Sequence, residues 1–351
     1  MFEFLEHGKL DLMNKGELAE IARALVAEGK GILAADESVG TIEKRFAKIG
    51  VESSEETRRS YRELLFGTEG MEKYISGVIL FDETLRDGKF SDGVGVAKVL
   101  ERVGVVPGIK VDLGKVEMPG FPGETITEGL DGLRGRLAEY KKLGAKFTKW
   151  RAVFSIGVGI PTQECIEANC LKLAIYAGIA QEQGTVPIVE PEVLMDGSHD
   201  MERCGDVTVA VLRNLFIKLE GYRVDLGGIL LKPNMVLPGE ESGEKVEVGD
   251  VAEMTIGVMK RAVPENVPGI VFLSGGQSPE EATARLDAMN KIDDVPWELS
   301  FSYGRALQEQ PLKAWGGKEE NVEEAGREFL KRAKLNSLAR KGEYSIQMEN
   351  E

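Results

Sequence analysis

The stretch GILAAD, residues 31–36, is a short apolar run that ends in a carboxylate, and it is the first of eight comparable runs. The others are GVILFD (77–82), GIKVD (108–112), KFTKWRAV (146–153), TVPIVEPE (185–192), GGILLK (227–232), GIVFLSGG (269–276) and ELSFSYGR (298–305). Their spacing of roughly 30 to 45 residues leaves room for one strand, one helix and two loops in each unit. Eight such units predict an α/β fold, a single (β/α)8 TIM barrel.

Helix signals lie between these runs and extend the prediction to one domain over residues 1–351. We expect an extra N-terminal helix over about 15–28 and a short, flexible C-terminal tail over about 341–351. Ser53-Ser54-Glu55-Glu56 predicts a capping box that opens a helix through about Leu65. Pro161 predicts the first turn of another helix, and Ser278-Pro279-Glu280-Glu281 combines both signals. Further helices are predicted over 131–143, 202–219 and 321–340.

The charge pattern indicates a small anionic ligand. The chain carries a net charge of −15, which disfavours binding to nucleic acid or to an anionic membrane. Basic residues nevertheless lie at several predicted strand ends, where a barrel holds its active site. These residues are Lys110, Lys149, Arg151, Lys232 and Arg305.

Cysteine and histidine usage favours a reduced, cytoplasmic protein without a metal. Cys165, Cys170 and Cys204 form no CxxC pair, which is typical of an intracellular chain. The first residues lack the features of a signal peptide, and no apolar run approaches the ~20 residues of a membrane helix. His7 and His199 lie too far apart in sequence to suggest a zinc site. We therefore expect no metal and no cofactor.

Lys232 is the strongest catalytic candidate, because it closes an apolar run and is followed by Pro233. Desolvation lowers a lysine pKa, and a neutral amine can form a Schiff base with a ketone. An isolated lysine here would more often be a surface residue. Lys149, Glu190 and Asp36 close neighbouring runs and could supply a second cation, an acid/base and a proton acceptor. Alternatively, Asp36 caps a helix and Glu190 only pairs with Lys232.

Two groups of residues have the composition of anion sites. Small residues and hydroxyls after strands seven and eight of a barrel commonly bind phosphate through backbone amides. The first group comprises Ser274, Gly275, Gly276, Ser302, Gly304 and Arg305. The second comprises Thr41, Lys44 and Arg45, joined by Lys110. Two separate anion sites would suit a bisphosphate.

These motifs resemble those of the class I, Schiff-base fructose-1,6-bisphosphate aldolases. The matching segments are GKGILAADES, GIKVD, KWR, VPIVEPE, LLKPNM, FLSGGQS, FSYGRALQ and KAWGGK. They occur in the family's order and spacing from about residue 15 to residue 345. The resemblance implies a lyase of glycolysis and gluconeogenesis that reversibly cleaves fructose 1,6-bisphosphate without a metal. It also implies a homotetramer.

The resemblance further implies residue roles. Lys232 would form the Schiff base, Glu190 would be its acid/base, and Glu192 would support Glu190. Lys149 would stabilise the carbinolamine, and Asp36 would take the proton of the C4 hydroxyl. The residues implied for the C1 phosphate are Ser274, Gly275, Ser302, Gly304 and Arg305. Those implied for the C6 end are Ser38, Thr41, Arg45, Lys110, Lys44 and Arg151.

The sequence departs from the family pattern at its C-terminal end, and two other functions remain open. Animal and plant members end in a tyrosine that reaches the active site, whereas this chain ends KGEYSIQMENE. The preference between bisphosphate and monophosphate sugars is therefore not predicted. One alternative is another Schiff-base barrel, transaldolase-like or deoxyribose-phosphate-aldolase-like, which needs one phosphate site. The other is a non-catalytic scaffold.

Overall fold

The computed structural model describes residues 15–90 and 93–350, and its centre is a closed barrel of eight parallel strands. The strands are β1 (Gly31–Ala35), β2 (Ile75–Leu80), β3 (Val106–Lys110), β4 (Lys115–Glu117), β5 (Thr125–Thr127), β6 (Phe147–Phe154), β7 (Val186–Val193), β8 (Leu230–Leu231), β9 (Gly269–Phe272) and β10 (Glu298–Tyr303). The barrel order is β1-β10-β9-β8-β7-β6-β3-β2, and β4 and β5 form a separate antiparallel hairpin.

Helices surround the barrel and follow its strands. They are α1 (15–25), α2 (Val39–Ala47), α3 (Glu55–Gly67), α4 (Asp82–Asp87), α5 (Val96–Arg102), α6 (Leu133–Lys142), α7 (Gln163–Glu182), α8 (Met201–Gly221), α9 (Val248–Ala262), α10 (Pro279–Asn290), α11 (Arg305–Trp315) and α12 (Val322–Arg340). Short 3₁₀ turns occupy Met71–Lys73, Leu226–Gly228, Glu319–Asn321 and Ile346–Asn350. None of the helices in the described ranges is both long enough and apolar enough to cross a bilayer.

The predicted barrel is confirmed, because each of the eight apolar runs overlaps a barrel strand. Strands such as β9 are buried along their whole length, as expected for parallel strands covered on both faces. The run GGILLK contributes only the short strand β8, because its first residues form the 3₁₀ turn Leu226–Gly228. The Lys232 amide extends the ladder by donating to the Val189 carbonyl at 2.9 Å.

Two predicted helix starts are wrong by one or two residues. The capping box of α3 joins Ser54 to Thr57, one residue later than predicted, because Ser54 rather than Ser53 adopts the cap position. Pro161 lies outside α7, since the Thr162 hydroxyl accepts a hydrogen bond from the Cys165 amide and begins the helix after it. The predicted cap at Ser278 is confirmed.

Helix α1 covers the amino-terminal end of the barrel, called the bottom here, with apolar side chains. The opposite end, at the carboxyl ends of the strands, is the mouth. Its Leu18 and Leu25 are buried in one apolar cluster with strand residues that include Phe147. Gly77 and Gly108 leave the space for this packing, because a methyl group on Gly108 would lie 2.3 Å from the Phe147 ring. The barrel interior is therefore open only at the carboxyl ends of the strands.

The last described residues return along α10 and α12. Tyr344 is buried, and its amide donates to Asp287 Oδ1 at 2.9 Å. Glu349 accepts hydrogen bonds from Tyr344 Oη at 2.8 Å and from both terminal nitrogens of Arg332 at 2.7 Å. These contacts lie on the outer wall of the barrel, within the segment for which we predicted a flexible tail.

Replacing Glu349 with glutamine should destabilise the fold by about 1–3 kcal/mol, because the buried Arg332 guanidinium would keep only Glu280, at 3.2 Å, as a charged partner. Thermal unfolding would measure the loss, with the exposed Glu343→Gln as the matched control. Turnover should change little. A turnover loss of about tenfold, or about 1.4 kcal/mol of transition-state stabilisation, would contradict the structural role.

Candidate active site

A cavity of about 870 Å³ opens at the carboxyl ends of the barrel strands. Residues of β6 and β7, and residues that directly follow β1, β8, β9 and β10, contribute to its wall. This is the end at which (β/α)8 barrels hold their active sites. The predicted site residues found in its wall are Asp36, Ser38, Thr41, Arg45, Lys110, Lys149, Arg151, Glu190, Glu192, Lys232, Ser274, Gly275, Ser302, Gly304 and Arg305.

Two lysines and two carboxylates meet at the centre of the cavity. Lys149 Nζ lies 2.7 Å from Asp36 Oδ2 and 2.8 Å from Glu190 Oε2. Lys232 Nζ lies 3.4 Å from Glu190 Oε1, so Glu190 connects the two lysines. The exposed fraction is 12% for the Asp36 side chain and below a tenth for the other three. The four residues predicted from separate strand ends therefore form one cluster.

Strand periodicity explains why these side chains converge. On β6, Lys149 and Arg151 point into the mouth, whereas Trp150 between them stacks against Tyr176 of α7. On the neighbouring β7, Glu192 accepts a 2.5 Å hydrogen bond from Arg151 Nε. Alternation along both strands thus places a second ion pair beside the central cluster.

The cluster gives the two lysines opposite properties. Burial is the largest influence on the Lys232 ammonium; together with nearby Lys149 it lowers the Lys232 pKa, although Glu190 opposes the shift. Burial also acts to lower the pKa of Lys149, but Asp36 and Glu190 outweigh it and raise that pKa overall. Lys232 is consequently the better nucleophile, and Lys149 remains a cation.

The carboxylates of the cluster remain ionised. Burial alone would raise the pKa of the Asp36 carboxyl, but Lys149 and then Lys232 lower it below its ordinary range. The Glu190 carboxyl follows the same pattern: burial raises its pKa, and Lys149, Lys232 and Arg151 lower it overall. Both groups are therefore available as proton acceptors in the resting site.

The first predicted anion group forms one side of the cavity. Arg305 Nη2 donates to the Gly275 carbonyl at 2.8 Å and to the Gln277 carbonyl at 3.2 Å, which fixes the guanidinium beside the loop after β9. Gly275 has a positive φ of 54°, a conformation that glycine adopts readily. The buried Ser302 hydroxyl has no hydrogen-bond partner among the residues described, so it can receive a ligand oxygen.

The second predicted anion group lies near the ends of β1 and β3. The Ser38 and Thr41 hydroxyls are 3.0 Å apart. Lys110 Nζ contacts Asp112 Oδ1 at 2.5 Å. Arg45 also approaches Gly304 of the first group, since its Nη2 would lie 3.7 Å from a methyl group placed on that glycine. The geometry therefore places Arg45 next to the first group as well.

Two predicted binding residues do not line this cavity. Lys44 is exposed on α2 and points away from Arg45, because adjacent helix positions are about 100° apart. Gly276 instead borders an adjoining cavity of about 260 Å³ that also contains Glu240 and Met195. The turn at Gly275 separates Gly276 from the main cavity wall.

Sequence reasoning missed several cavity residues. Glu37 directly follows Asp36 and is buried, and Asp112 ends the predicted run GIKVD. Their position after an apolar run was the signal that could have identified them. Arg136 and Tyr140 of α6 carried no such signal, because only the folded chain brings that helix to the mouth. No cluster of three or more potential metal ligands occurs within 15–90 and 93–350.

Comparisons with known proteins agree on one family. The family model described as fructose-bisphosphate aldolase class-I matches residues 17–351. A probable class 1 fructose-bisphosphate aldolase of Xanthomonas axonopodis pv. citri is 53% identical over 333 residues, 95% of this chain and 99% of its own. The cytosolic aldolase 6 of Arabidopsis thaliana is 56% identical over 329 residues, covering 93% and 91% of the two chains.

A solved structure gives the same result. Fructose-bisphosphate aldolase from Plasmodium falciparum, crystallised with TRAP and a small-molecule inhibitor, superposes with a TM-score of 0.93. The two sequences are 50% identical, and the match covers 95% of this chain and 96% of that one. The similarity therefore extends over the barrel and the loops that form the cavity.

Proposed function

The chain belongs to the class-I fructose-bisphosphate aldolase family and is a lyase, and from this membership we propose that it works through a Schiff base on Lys232. The reaction would reversibly cleave fructose 1,6-bisphosphate to dihydroxyacetone phosphate and glyceraldehyde 3-phosphate, in glycolysis and gluconeogenesis. The observation that carries the proposal is the buried Lys232 amine, 3.4 Å from Glu190 and near a second lysine.

Imine formation uses Lys232 and Glu190. The neutral Lys232 amine attacks the C2 ketone, Glu190 takes the proton released from nitrogen, and the C2 oxygen takes a proton from solvent to become a hydroxyl. Glu190 then returns a proton to the C2 hydroxyl, which leaves as water and produces a protonated imine. Lys149, 2.8 Å from Glu190, stabilises the Glu190 carboxylate before the first transfer and after the second. Glu192 supports the arrangement by holding Arg151.

Cleavage uses Asp36. Its carboxylate takes the C4 hydroxyl proton, and the C3–C4 bond breaks. The electron pair of that bond moves into the protonated imine, which becomes an enamine. Glyceraldehyde 3-phosphate then leaves. Lys149, 2.7 Å from Asp36, keeps that carboxylate ionised for this step. Protonation of the enamine at C3 and hydrolysis of the imine release dihydroxyacetone phosphate and restore Lys232.

The two anion groups support a bisphosphate substrate. Ser274, Gly275, Ser302, Gly304 and Arg305 would hold the C1 phosphate, whereas Ser38, Thr41, Lys110 and Arg151 would hold the C6 end. The test compares kcat/KM for fructose 1,6-bisphosphate, fructose 1-phosphate and deoxyribose 5-phosphate. We expect cleavage of the bisphosphate with the highest kcat/KM. Preference for deoxyribose 5-phosphate would instead favour another Schiff-base barrel.

The pKa of Lys232 predicts a specific labelling order. Trace acetylation with acetic anhydride at a series of pH values, followed by peptide mass spectrometry, reports when each lysine becomes neutral. Lys232 should react at lower pH than Lys149, because the pKa of Lys232 is lowered and that of Lys149 is raised. Nα-acetyl-lysine, whose side-chain amine is free, calibrates the reactivity of the reagent at each pH. If Lys149 reacted at lower pH than Lys232, the assigned roles would be contradicted.

We further propose a homotetramer in the cytoplasm. The relatives from Arabidopsis thaliana are named cytosolic, and the tetramer follows from the resemblance of the sequence motifs. Light scattering on the purified protein measures the molar mass directly. A mass of one 38.4 kDa chain would exclude the tetramer without affecting the proposed reaction.

A further inference from the structure

Glu37 is a buried carboxylate at the cavity that the proposed reaction does not use. Its Oε1 accepts hydrogen bonds from Arg45 Nη1 at 2.5 Å and from Gln308 Nε2 at 2.8 Å. Its Oε2 accepts one from Arg62 Nη2. Both oxygens are thus occupied by protein donors, and Glu37 cannot itself hold an anionic substrate.

The three donors belong to three different helices. Arg45 is on α2, Arg62 is on α3 and Gln308 is on α11, while Glu37 follows the end of β1. Gln308 Nε2 also donates to the Ala34 carbonyl at 2.7 Å. The Glu37 carboxylate is therefore a shared attachment point that fixes the three helices relative to the barrel mouth.

One terminal nitrogen of Arg45 binds Glu37, and the other is free to contact a ligand. While Nη1 is bound to Glu37, Nη2 lies near Gly304 and hydrogen-bonds to none of the residues described. Gly304 immediately precedes Arg305, the first residue of α11. Gln308 lies about one helical turn after Arg305, so Glu37 contacts both Arg45 and the helix that carries Arg305.

The charges of this group favour an anion. One carboxylate faces two guanidinium groups, so the group has a net positive charge. Arg62 is only 5% exposed, and its Nη1 has no partner among the residues described. Burial acts to raise the pKa of the Glu37 carboxyl, but Arg62 and Arg45 lower it overall, so the carboxylate remains ionised.

We propose that Glu37 is a positioning residue for phosphate binding, which holds the Arg45 guanidinium beside Gly304 so that Arg45 and Arg305 receive the same phosphate. The inference rests on the proposed function, since it assigns a phosphate to that end of the cavity. Glu37 acts through Arg45 and touches neither the reacting carbons nor the phosphate.

The first test is Glu37→Gln, which keeps the shape of the side chain and removes its charge. KM for fructose 1,6-bisphosphate should rise about tenfold or more, because a charge-assisted hydrogen bond that orients Arg45 is lost. We expect kcat to fall much less, since the central cluster is unchanged. Glu43→Gln, on the exposed face of the same helix, is the matched control. An unchanged KM in folded Glu37→Gln would overturn the proposal.

A double-mutant cycle separates positioning from a general loss of packing. If Glu37 acts through Arg45, Arg45→Ala combined with Glu37→Gln should raise KM no further than Arg45→Ala alone. Independent, additive effects of the two substitutions would contradict the proposed coupling. Because a merely structural defect would act in both backgrounds, additivity would identify it.

Two further measurements keep the outcome decisive. If Glu37→Gln does not fold, Glu37→Asp takes its place. This variant keeps the charge, but its side chain is one methylene shorter and moves the carboxylate away from Arg45. An unchanged KM in Glu37→Asp would refute the proposal. Calorimetric titration with inorganic phosphate tests binding without turnover. Weaker phosphate binding by the Glu37 variant would support positioning even if the wild-type protein failed to cleave fructose 1,6-bisphosphate. Equal phosphate binding by both proteins would overturn it.

Discussion

Replacing Lys232 with methionine should reduce cleavage of fructose 1,6-bisphosphate by about 10⁴-fold or more, as expected when a covalent catalytic group is removed. Methionine is unbranched and apolar, so it can occupy the buried position without an amine. Glu190 would retain Lys149 at 2.8 Å as a charged partner. The loss should therefore lie in the reaction and leave the fold intact.

The measurement is steady-state turnover, with circular dichroism and thermal unfolding as checks of the fold. Lys146→Met is the matched control, because Lys146 is half-exposed and lies just before β6, at the end of the barrel away from the cavity. That control should retain wild-type activity. Substantial turnover by a folded Lys232→Met variant would exclude Lys232 as the Schiff-base residue. Unchanged behaviour in every assay would favour the scaffold alternative.

Replacing Asp36 with asparagine should block a different step. The amide cannot accept the C4 hydroxyl proton, so carbon–carbon cleavage should slow by about 10²- to 10⁴-fold. Imine formation at Lys232 should continue, because it depends on Glu190, which stays within 3.4 Å of that lysine. The six-carbon substrate should consequently accumulate as an imine on the enzyme.

Borohydride reduction and intact-protein mass spectrometry distinguish this outcome. Asp36→Asn incubated with fructose 1,6-bisphosphate should carry the mass of the uncleaved six-carbon sugar, whereas wild-type protein should also carry the three-carbon product. Asp131→Asn, at an exposed position before α6, is the control. Full turnover by Asp36→Asn would show that another group removes the proton.

The barrel could be predicted because its strands are buried on both faces and therefore appear as continuous apolar runs. The hairpin β4–β5 was not predicted, since its strands have only three residues each and β4 is exposed. The start of α3 was displaced because Ser53 and Ser54 are chemically equivalent caps. Only backbone geometry distinguishes the two serines.

The candidate site was predictable where its residues end strands, because the barrel topology brings all strand ends to one face. Lys232, which directly follows β8, is of this kind, whereas Lys149 and Glu190, predicted to end their strands, lie within β6 and β7, which continue beyond them. Lys44 and Arg45 are adjacent basic residues on a helix, and sequence alone did not show which of them faces the cavity. Glu37 was missed because its partners lie 8, 25 and 271 residues away along the chain. Only folding joins such partners.

The most direct measurement is to map the site of imine formation. The wild-type protein is incubated with dihydroxyacetone phosphate, reduced with borohydride and digested, and the modified peptide is identified by mass spectrometry. We expect one substrate-dependent adduct, on Lys232. An adduct on another lysine, or none on folded protein that cleaves fructose 1,6-bisphosphate, would contradict the proposed mechanism.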